Sequence, residues 1–273
     1  MTGSWKIIQK SEDTSVINLN EELTVILTTH VLPSAPSTYF IEATIKSIKS
    51  RFSGIEGCKF MIYCDSDSTN HHHLEYVENL RNLKDVVVVD NSHEGVKISG
   101  LQKNYIKALK ETTTPFAFCC EHDWKFLRNV DITGLIHFMK DHNNINFVRF
   151  NKRPNWKPHI SNLAPGDQER YVWETYLEEK KDISFALMKT DSIATHPHII
   201  RVSKFIEDWI DIASNPQPRL VGAVEQNLYS EYTKDIKSEG FEYAHEKWGV
   251  YVYGSKDDDK MITHQDGSDS GRA

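Results

Sequence analysis

Residues 103–124 read KNYIKALKETTTPFAFCCEHDW, and this stretch decides the fold. Its first part repeats apolar residues at helical spacing, and residues 115–120 (PFAFCC) form a run typical of a buried strand. That run ends at Glu121, His122 and Asp123. Parallel α/β sheets bind their ligands beyond the carboxyl ends of the strands. These three polar residues therefore stand where a ligand is expected.

The first 150 residues alternate between strand and helix patterns around this stretch. Strands are predicted at 23–30 (LTVILTTH), 58–64, 85–90, 115–120 and 145–150, and helices at 38–52, 72–83, 98–109 and 131–140. The strand at 85–90 (DVVVVD) is expected to be fully buried. Such alternation predicts a largely parallel sheet with helices on both faces. Asp65, Asp90 and residues 121–123 would then meet at one edge.

The second half is less regular. Residues 151–182 are rich in Trp, Tyr, Arg and Pro and predict an extended loop region. A strand at 184–189, an amphipathic helix at 201–213, a helix beginning near Glu225 and a strand at 248–253 follow. The absence of repeats and linkers favours a single domain, divided into residues 23–150, residues 151–256 and a polar tail at 257–273.

Composition excludes several classes of protein. The net charge of -7 argues against a nucleic-acid binder, because phosphate backbones are bound by clustered Lys and Arg. No run of apolar residues is long enough to span a membrane, and the N-terminus lacks the apolar core of a secretory signal. The cysteines have no zinc-binding spacing and are expected to be reduced core residues in a cytoplasmic protein: Cys58, Cys64, Cys119 and Cys120.

Residues 103–124 resemble the core of family-two-like GT-A glycosyltransferases. In that family a basic residue and an Asn open a helix, an Ala follows, and an apolar strand leads to an acidic metal motif. Residues 65–69 (DSDST) resemble the acidic turn after the family's second strand, without its usual Gly. The resemblance covers residues 23–150 well and the remainder loosely. It implies a GT-A fold of the Rossmann-like α/β class, with a nucleotide-sugar-binding half at 23–150 and an acceptor-binding half at 151–256.

The acidic motif is the expected metal site. A departing nucleoside diphosphate gains negative charge, which Mg²⁺ or Mn²⁺ held by oxygen ligands would neutralise. Alternation along a strand puts Glu121 and Asp123 on one side and His122 on the other. The resemblance implies that Asp123 is the direct ligand and that Glu121 acts on the ribose or through water. His264 is a further ligand candidate, as late histidines are in several GT-A families, or else lies in a disordered tail.

The nucleotide would lie along the same edge. Asp65 is the candidate for reading the base, because a carboxylate accepts the imide N–H of uracil or thymine, and its alternative role is a turn residue. Donors linked to UDP or dTDP are therefore favoured. Thr28 and Thr29 would add polar contacts to the nucleoside. Lys103 resembles the family's basic residue near the diphosphate, with a surface lysine as the alternative.

The C-terminal half is expected to supply the acceptor site and the base. Glu225 resembles the acidic residue that houses the catalytic base at a helix start in inverting members, although Gln226 replaces the usual Asp. The alternative is a glutamate favoured by the helix dipole. Trp156, Tyr171 and Trp173 would stack on a carbohydrate acceptor or else pack in the core. A metal site at residues 71–73 (HHH) is not expected, since adjacent histidines on a helix face different directions.

These residues predict a metal-dependent hexosyl- or pentosyltransferase of glycan biosynthesis that acts on a carbohydrate or glycoconjugate hydroxyl, with inversion. Two alternatives stay open. A sugar nucleotidyltransferase would carry a Gly-rich basic loop after the first strand, and residues 31–38 (VLPSAPST) contain no Gly, Lys or Arg. A non-catalytic GT-A module that binds nucleotide or glycan would have lost the metal acid, whereas Glu121 and Asp123 are both present.

Overall fold

The computed structural model describes residues 17–31, 35–65, 67, 69–90, 100–155, 175–177, 185–215, 223–255 and 258–265. Its strands, numbered in chain order, are β1 Leu23–Thr29, β2 Lys59–Cys64, β3 Val86–Asp90, β4 Phe116–Glu121, β5 Trp124–Phe126, β6 Phe147–Arg149, β7 Thr175–Leu177, β8 Ala186–Lys189, β9 His198–Arg201, β10 Val250–Tyr253 and β11 Ile262–His264. Its α-helices are α1 Leu19–Glu22, α2 Tyr39–Arg51, α3 His73–Arg81, α4 Leu101–Glu111, α5 Ile132–Asp141, α6 Val202–Lys204, α7 Ile210–Ser214, α8 Ala223–Glu239 and α9 Phe241–Trp248. A π-helical segment, Phe205–Trp209, joins α6 to α7.

Within the described residues, nine strands form one sheet in the order β3-β2-β1-β4-β9-β6-β10-β8-β7. The four strands from β3 to β4 are parallel, as the alternation of strands and helices predicted. The strand β9, which the sequence analysis did not predict, lies antiparallel between β4 and β6. Strands from both predicted halves therefore share one sheet. The predicted α/β class is confirmed.

Two apolar layers cover the faces of the sheet. Alternate residues of β1 point to opposite sides, because successive side chains of a strand do so. Leu23, Val25 and Leu27 pack in the layer that includes residues of α2, α3 and α5. Ile26 packs in the opposite layer, with residues of α4, α8 and α9. The helices on both faces match the predicted arrangement.

Local signals explain several boundaries. Asp131 begins α5 as predicted, with its Oδ1 accepting a hydrogen bond of 2.9 Å from the Gly134 N–H. Gly249 ends α9 at φ +64°, and a Cβ there would lie 2.0 Å from the carbonyl oxygen of Asn144. Only glycine fits that position.

Two predictions about elements were wrong. The strand at 85–90 is not fully buried, because β3 is the last strand at its side of the described sheet and Val87 is 47% exposed. The tail beyond residue 256 is not simply polar chain, since β11 pairs with β5. The predicted helix at 98–109 is seen as α4, and residues 91–99 lie outside the described residues. None of the described helices is long and apolar enough to cross a membrane.

Candidate functional site

The carboxyl ends of the parallel strands bring the predicted residues to one edge of the sheet. Thr28 near the end of β1 lies opposite Glu121 at the end of β4. Asp65 follows β2, and its backbone N–H donates a 2.8 Å hydrogen bond to the carbonyl oxygen of Thr29. Asp90 ends β3 opposite Cys64. Polar side chains from four neighbouring strands thus line this edge.

Asp65 is held by a residue on α4. The side-chain amide of Asn104, in the first turn of that helix, donates a hydrogen bond to Asp65 Oδ1. Burial raises the pKa of Asp65 to about 7, and this hydrogen bond opposes the shift. The sequence indicated Asn104 only as part of a motif. The hydrogen bond between Asn104 and Asp65 could not be predicted from the sequence, because the two residues are 39 positions apart in the chain.

The two threonines of β1 point to different sides. Thr28 lines the cavity beside Glu121. Thr29 is buried, and its hydroxyl shares a hydrogen bond of 2.5 Å with the hydroxyl of Tyr76 on α3. The alternation of a strand explains the difference. Of the two, Thr28 is the one whose side chain faces the candidate site.

Glu121 lies within a group of carboxylates. Burial raises its pKa to about 7, and the negative charges of Asp123, Glu225 and Asp65 add to the shift. Lys152 opposes it. The repulsion between Glu121 and Glu225 shows that the edge of the parallel strands lies near the start of α8. The carboxylates predicted from separate parts of the chain therefore lie near one another.

Asp123 and His264 are in contact. Asp123 Oδ2 lies 3.2 Å from Nδ1 of His264, and Asp123 Oδ1 is buried without a hydrogen-bond partner among the described residues. His264 is ordered on β11, opposite Trp124 of β5, and the two rings lie 3.6 Å apart between centroids. The alternative of a histidine in a disordered tail is therefore wrong. His122 packs elsewhere, against His30 and Phe40.

Gln265 fixes the segment that carries His264. Its backbone N–H donates a 2.8 Å hydrogen bond to the carbonyl oxygen of Asp123. Its side-chain amide contacts the carbonyl oxygens of Phe40 and Trp124, both at 3.2 Å, and Thr44 Oγ1 at 2.8 Å. The sequence analysis missed Gln265, because only the fold brings residue 265 beside α2.

Glu225 lies in the first turn of α8, as predicted, and Thr195 orients its carboxylate. Glu225 Oε2 accepts hydrogen bonds from the backbone N–H of Thr195 at 2.9 Å and from Thr195 Oγ1 at 2.8 Å. Gln226 is exposed. Burial lowers the pKa of the nearby Arg149 guanidinium to about 10, and the charges of Asp191 and Glu225 oppose that shift. Glu225 therefore lies among ionisable groups of both halves.

The other residues that the sequence singled out make no described contact with the carboxylates of the candidate site. Lys103 is exposed on α4. His73 is buried 3.6 Å from Asp90, whereas the rings of His71 and His72 contact each other with their planes tilted by 41°. No group of three His, Cys, Asp or Glu side chains arranged to hold a metal occurs in the described part of the chain. Trp156, Tyr171 and Trp173 lie outside the described residues. The four cysteines are free and buried, as expected.

A pocket opens beside Glu121, with about 420 Å³ of empty space when the open solvent at its mouth is included. It lies between the starts of α4 and α8, and its walls include Thr28, Leu101, Tyr105, Glu121, Thr195 and Val224. The cavity is therefore continuous with the edge that carries Thr28 and Glu121. The charged edge of the sheet therefore adjoins a pocket that is open to solvent.

No protein-family model and no curated protein sequence matches the chain. Solved structures do. The chain resembles residues 1–349 of S. aureus TarS in complex with UDP, with a TM-score of 0.50 and 17% identity over 88% of this chain and 59% of that one. The same TarS fragment without a named ligand gives 0.49 at 15% identity, covering 91% and 62%. The complex with UDP-GlcNAc gives 0.46 at 16% identity, covering 92% and 61%. The chain thus spans about three-fifths of the length of this TarS fragment, and 36% of the longer TarS chain. The similarity to the UDP complex is one of fold, and it confirms the predicted GT-A type of α/β fold.

Proposed function

We propose that the chain is a metal-dependent glycosyltransferase that moves a sugar from a UDP- or dTDP-linked donor to a hydroxyl of a carbohydrate or glycoconjugate, with inversion. The observation that carries the proposal is the approach of Asp65, Glu121 and Asp123, at the carboxyl edge of the parallel strands, to Glu225 and His264 from the other half. The fold of the chain also resembles that of the TarS fragment in complex with UDP.

The donor nucleotide would lie along this edge. The carboxylate of Asp65, oriented by Asn104, would accept the imide N–H of the pyrimidine. Thr28 would add a polar contact from β1, and Glu121 would contact the ribose or an ordered water. Lys103 would reach the diphosphate from its exposed position at the start of α4. Thr28, Glu121 and Lys103 project from regular elements and Asp65 directly follows β2, which keeps the binding groups in place.

Asp123 and His264 suit a divalent cation. The buried oxygen Asp123 Oδ1 has no hydrogen-bond partner among the described residues, and such an atom calls for a ligand. Carboxylate and imidazole ligands are compatible with Mn²⁺, and the diphosphate would complete the coordination. The bound cation would neutralise the charge that develops on the departing diphosphate. Gln265 would hold His264 in position through its contacts to α2 and β5.

Glu225 would act as the general base. The acceptor oxygen attacks the anomeric carbon, the bond from that carbon to the diphosphate breaks, and the acceptor proton passes to Glu225. Both hydrogen bonds from Thr195 go to Oε2, so Oε1 is the oxygen that would take the proton. Attack on the face opposite the leaving group gives inversion at the anomeric carbon.

The Asp123→Asn variant tests this function. Asparagine preserves the shape of the side chain and removes its charge, so Mn²⁺ should no longer strengthen UDP binding in isothermal titration calorimetry. The exposed Asp211 on α7 provides the matched control, and Asp211→Asn should keep the Mn²⁺ effect. Equal Mn²⁺ enhancement in the two variants would contradict the assignment of Asp123. Failure of the wild type to bind either UDP or dTDP would contradict the function itself.

A further inference from the structure

The loop that follows β6 carries a lysine to the candidate metal site. Lys152 is half-buried, and its Nζ lies 6.0 Å from the centroid of the Trp124 ring. That ring is in contact with the ring of His264, and Trp124 directly follows Asp123 in the chain. Lys152 therefore lies beside the residues that would hold the cation, although it comes from the second half of the chain.

Hydrogen bonds fix the position of this loop, residues 151–155. The carbonyl oxygen of Asn151 accepts a hydrogen bond of 2.8 Å from the backbone N–H of Met261, immediately before β11. The side-chain amide of Asn155 donates to the carbonyl oxygen of Tyr253, the last residue of β10, at 3.3 Å. The side chains of Asn151 and Asn155 are also hydrogen-bonded to each other. The lysine side chain thus starts from a backbone that is held by two strands.

No protein carboxylate engages the ammonium group of Lys152 closely. Among the residues that the structure describes, Lys152 takes part in no ion pair, whereas Lys140 and Lys189 each contact a glutamate. Burial raises the pKa of Glu121 to about 7, and the charge of Lys152 opposes that shift from beyond ion-pair distance. The N–H donors of Lys152 are therefore available to a ligand that lies beside Glu121.

The charge of the site favours such a ligand role. Glu121, Asp123 and Glu225 give the site negative charge, and a nucleoside diphosphate would add more. A charge that leaves water is unfavourable unless it is paired. The divalent cation at Asp123 would neutralise part of the total. An ammonium group supplies a further counter-charge, and it binds phosphate oxygens as a point charge.

We propose that Lys152 binds the diphosphate of the donor and stabilises it as the leaving group. This inference rests on the proposed function, which places the diphosphate at the cation held by Asp123 and His264. When the bond from the anomeric carbon to the diphosphate breaks, its electron pair stays on the diphosphate oxygen. The ammonium group stabilises that charge through a hydrogen bond and keeps its own proton.

A variant without the charge tests the inference. Lys152→Met preserves most of the length of the side chain and removes the ammonium group. UDP should then bind at least about tenfold more weakly, the usual loss when a hydrogen bond between charged groups is removed. Uridine carries no phosphate, so its affinity should not change. Isothermal titration calorimetry measures both ligands, and dTDP with thymidine forms a second pair of the same kind.

The metal separates a direct contact from an indirect one. If Lys152 contacts the phosphates itself, the loss of UDP affinity in Lys152→Met should persist without Mn²⁺. Lys152→Arg keeps the charge and should restore most of the affinity. The matched control is Lys125, which is exposed on β5 and follows Trp124 directly, and Lys125→Met should bind UDP like the wild type.

The outcomes distinguish this inference from the proposed function. Equal UDP affinity of the wild type and Lys152→Met would overturn the role of Lys152 and leave the glycosyltransferase function standing. An equal loss of affinity for uridine and UDP would overturn it as well, because Lys152 would then support the fold and not the phosphates. Failure of the wild type to bind either UDP or dTDP, with or without Mn²⁺, would overturn the proposed function itself.

Discussion

At Asp65, two effects act on one carboxyl group in opposite directions. Burial disfavours its charged form and raises its pKa to about 7, whereas the hydrogen bond from Asn104 favours the charge. A carboxylate that reads an imide N–H must be ionised. The balance at Asp65 therefore places its change of charge close to neutral pH, and nucleoside binding should depend on pH there.

The pH dependence gives a first prediction at the residue scale. Because the ionised fraction of a group with a pKa of about 7 rises roughly tenfold between about pH 6 and about pH 8, uridine should bind roughly tenfold more tightly at the higher pH. Uridine carries no phosphate that titrates in this range. Calorimetric titrations across the range measure the effect, and Asp65→Asn should remove it. A wild-type affinity independent of pH would show that the base is read elsewhere.

The raised pKa of Asp65 also makes the free energy of unfolding depend on pH. The folded pKa of Asp65 lies above its ordinary value of 3.8, so between about pH 4 and about pH 7 the folded state binds more protons than the unfolded chain. The contribution of Asp65 to the free energy of unfolding is therefore greatest at the low end of this window and falls as the pH rises through it.

Glu225 is the subject of a second residue-scale prediction. Its carboxylate would act after the donor has bound, so Glu225→Gln should lower turnover by roughly 10²–10⁴-fold, the usual contribution of a positioned base. Calorimetric affinity for UDP with Mn²⁺ should change little. The exposed neighbour Gln226 provides the control, and Gln226→Ala should keep near-normal turnover.

The configuration of the product checks Glu225 independently. An inverted anomeric centre, read by NMR, agrees with direct attack assisted by a base. A retained configuration, or near-normal turnover of Glu225→Gln, would remove Glu225 from the mechanism. The donor site formed by Asp65 and Asp123 would be unaffected by either result.

Among the elements, β11 links the end of the described chain to the candidate metal site. It pairs antiparallel with β5 and holds His264 3.2 Å from Asp123. Gln265 then anchors the strand to α2 through Phe40 and Thr44. A strand of three residues gains few ladder hydrogen bonds, so these side-chain contacts matter for its position.

The anchoring gives a prediction at the element scale. Gln265→Ala removes the side-chain contacts that hold β11, and loss of such supporting interactions typically costs about 10- to 100-fold in metal affinity. The enhancement of UDP binding by Mn²⁺ should fall accordingly, whereas UDP binding without metal should not change. The exposed Asp259 on the same segment gives the control, Asp259→Ala. An unchanged Mn²⁺ response in Gln265→Ala would show that β11 does not support the metal site.

The elements also show what a sequence can predict. The parallel strands and the edge that carries Asp65 and Glu121 were predicted, because apolar runs and helical spacing are local patterns. The strand β9 was missed, since it is short and its last residue, Arg201, is also the first residue of the helical pattern at 201–213. The contacts of Asn104 with Asp65 and of Gln265 with Thr44 were missed as well. They join residues 39 and 221 positions apart, and only the fold brings such residues together.

At the scale of the whole molecule, the candidate site draws on three distant parts of the chain. The segments that directly follow the parallel strands β2 and β4 contribute Asp65 and Asp123, the start of α8 contributes Glu225, and β11 contributes His264. A ligand that contacts several of these parts binds the folded state and not the unfolded chain. Its binding free energy therefore adds to the free energy of unfolding.

A thermal-shift panel of nucleoside diphosphates tests the site as a unit. At about 100 times its Kd, a ligand adds about 2.7 kcal/mol, which corresponds to a rise in Tm of roughly 5–10 °C for a domain of this size. UDP or dTDP with Mn²⁺ should give the largest rise, because the pyrimidine imide matches the Asp65 carboxylate and the diphosphate would share the cation with Asp123. Chelation of the metal should remove part of the rise, and Asp65→Asn should narrow the difference between pyrimidine and purine nucleotides. A guanosine or adenosine diphosphate that gives the largest rise in both the wild type and Asp65→Asn would contradict the assignment of Asp65. A rise equally large with and without Mn²⁺ would remove the metal from the donor site.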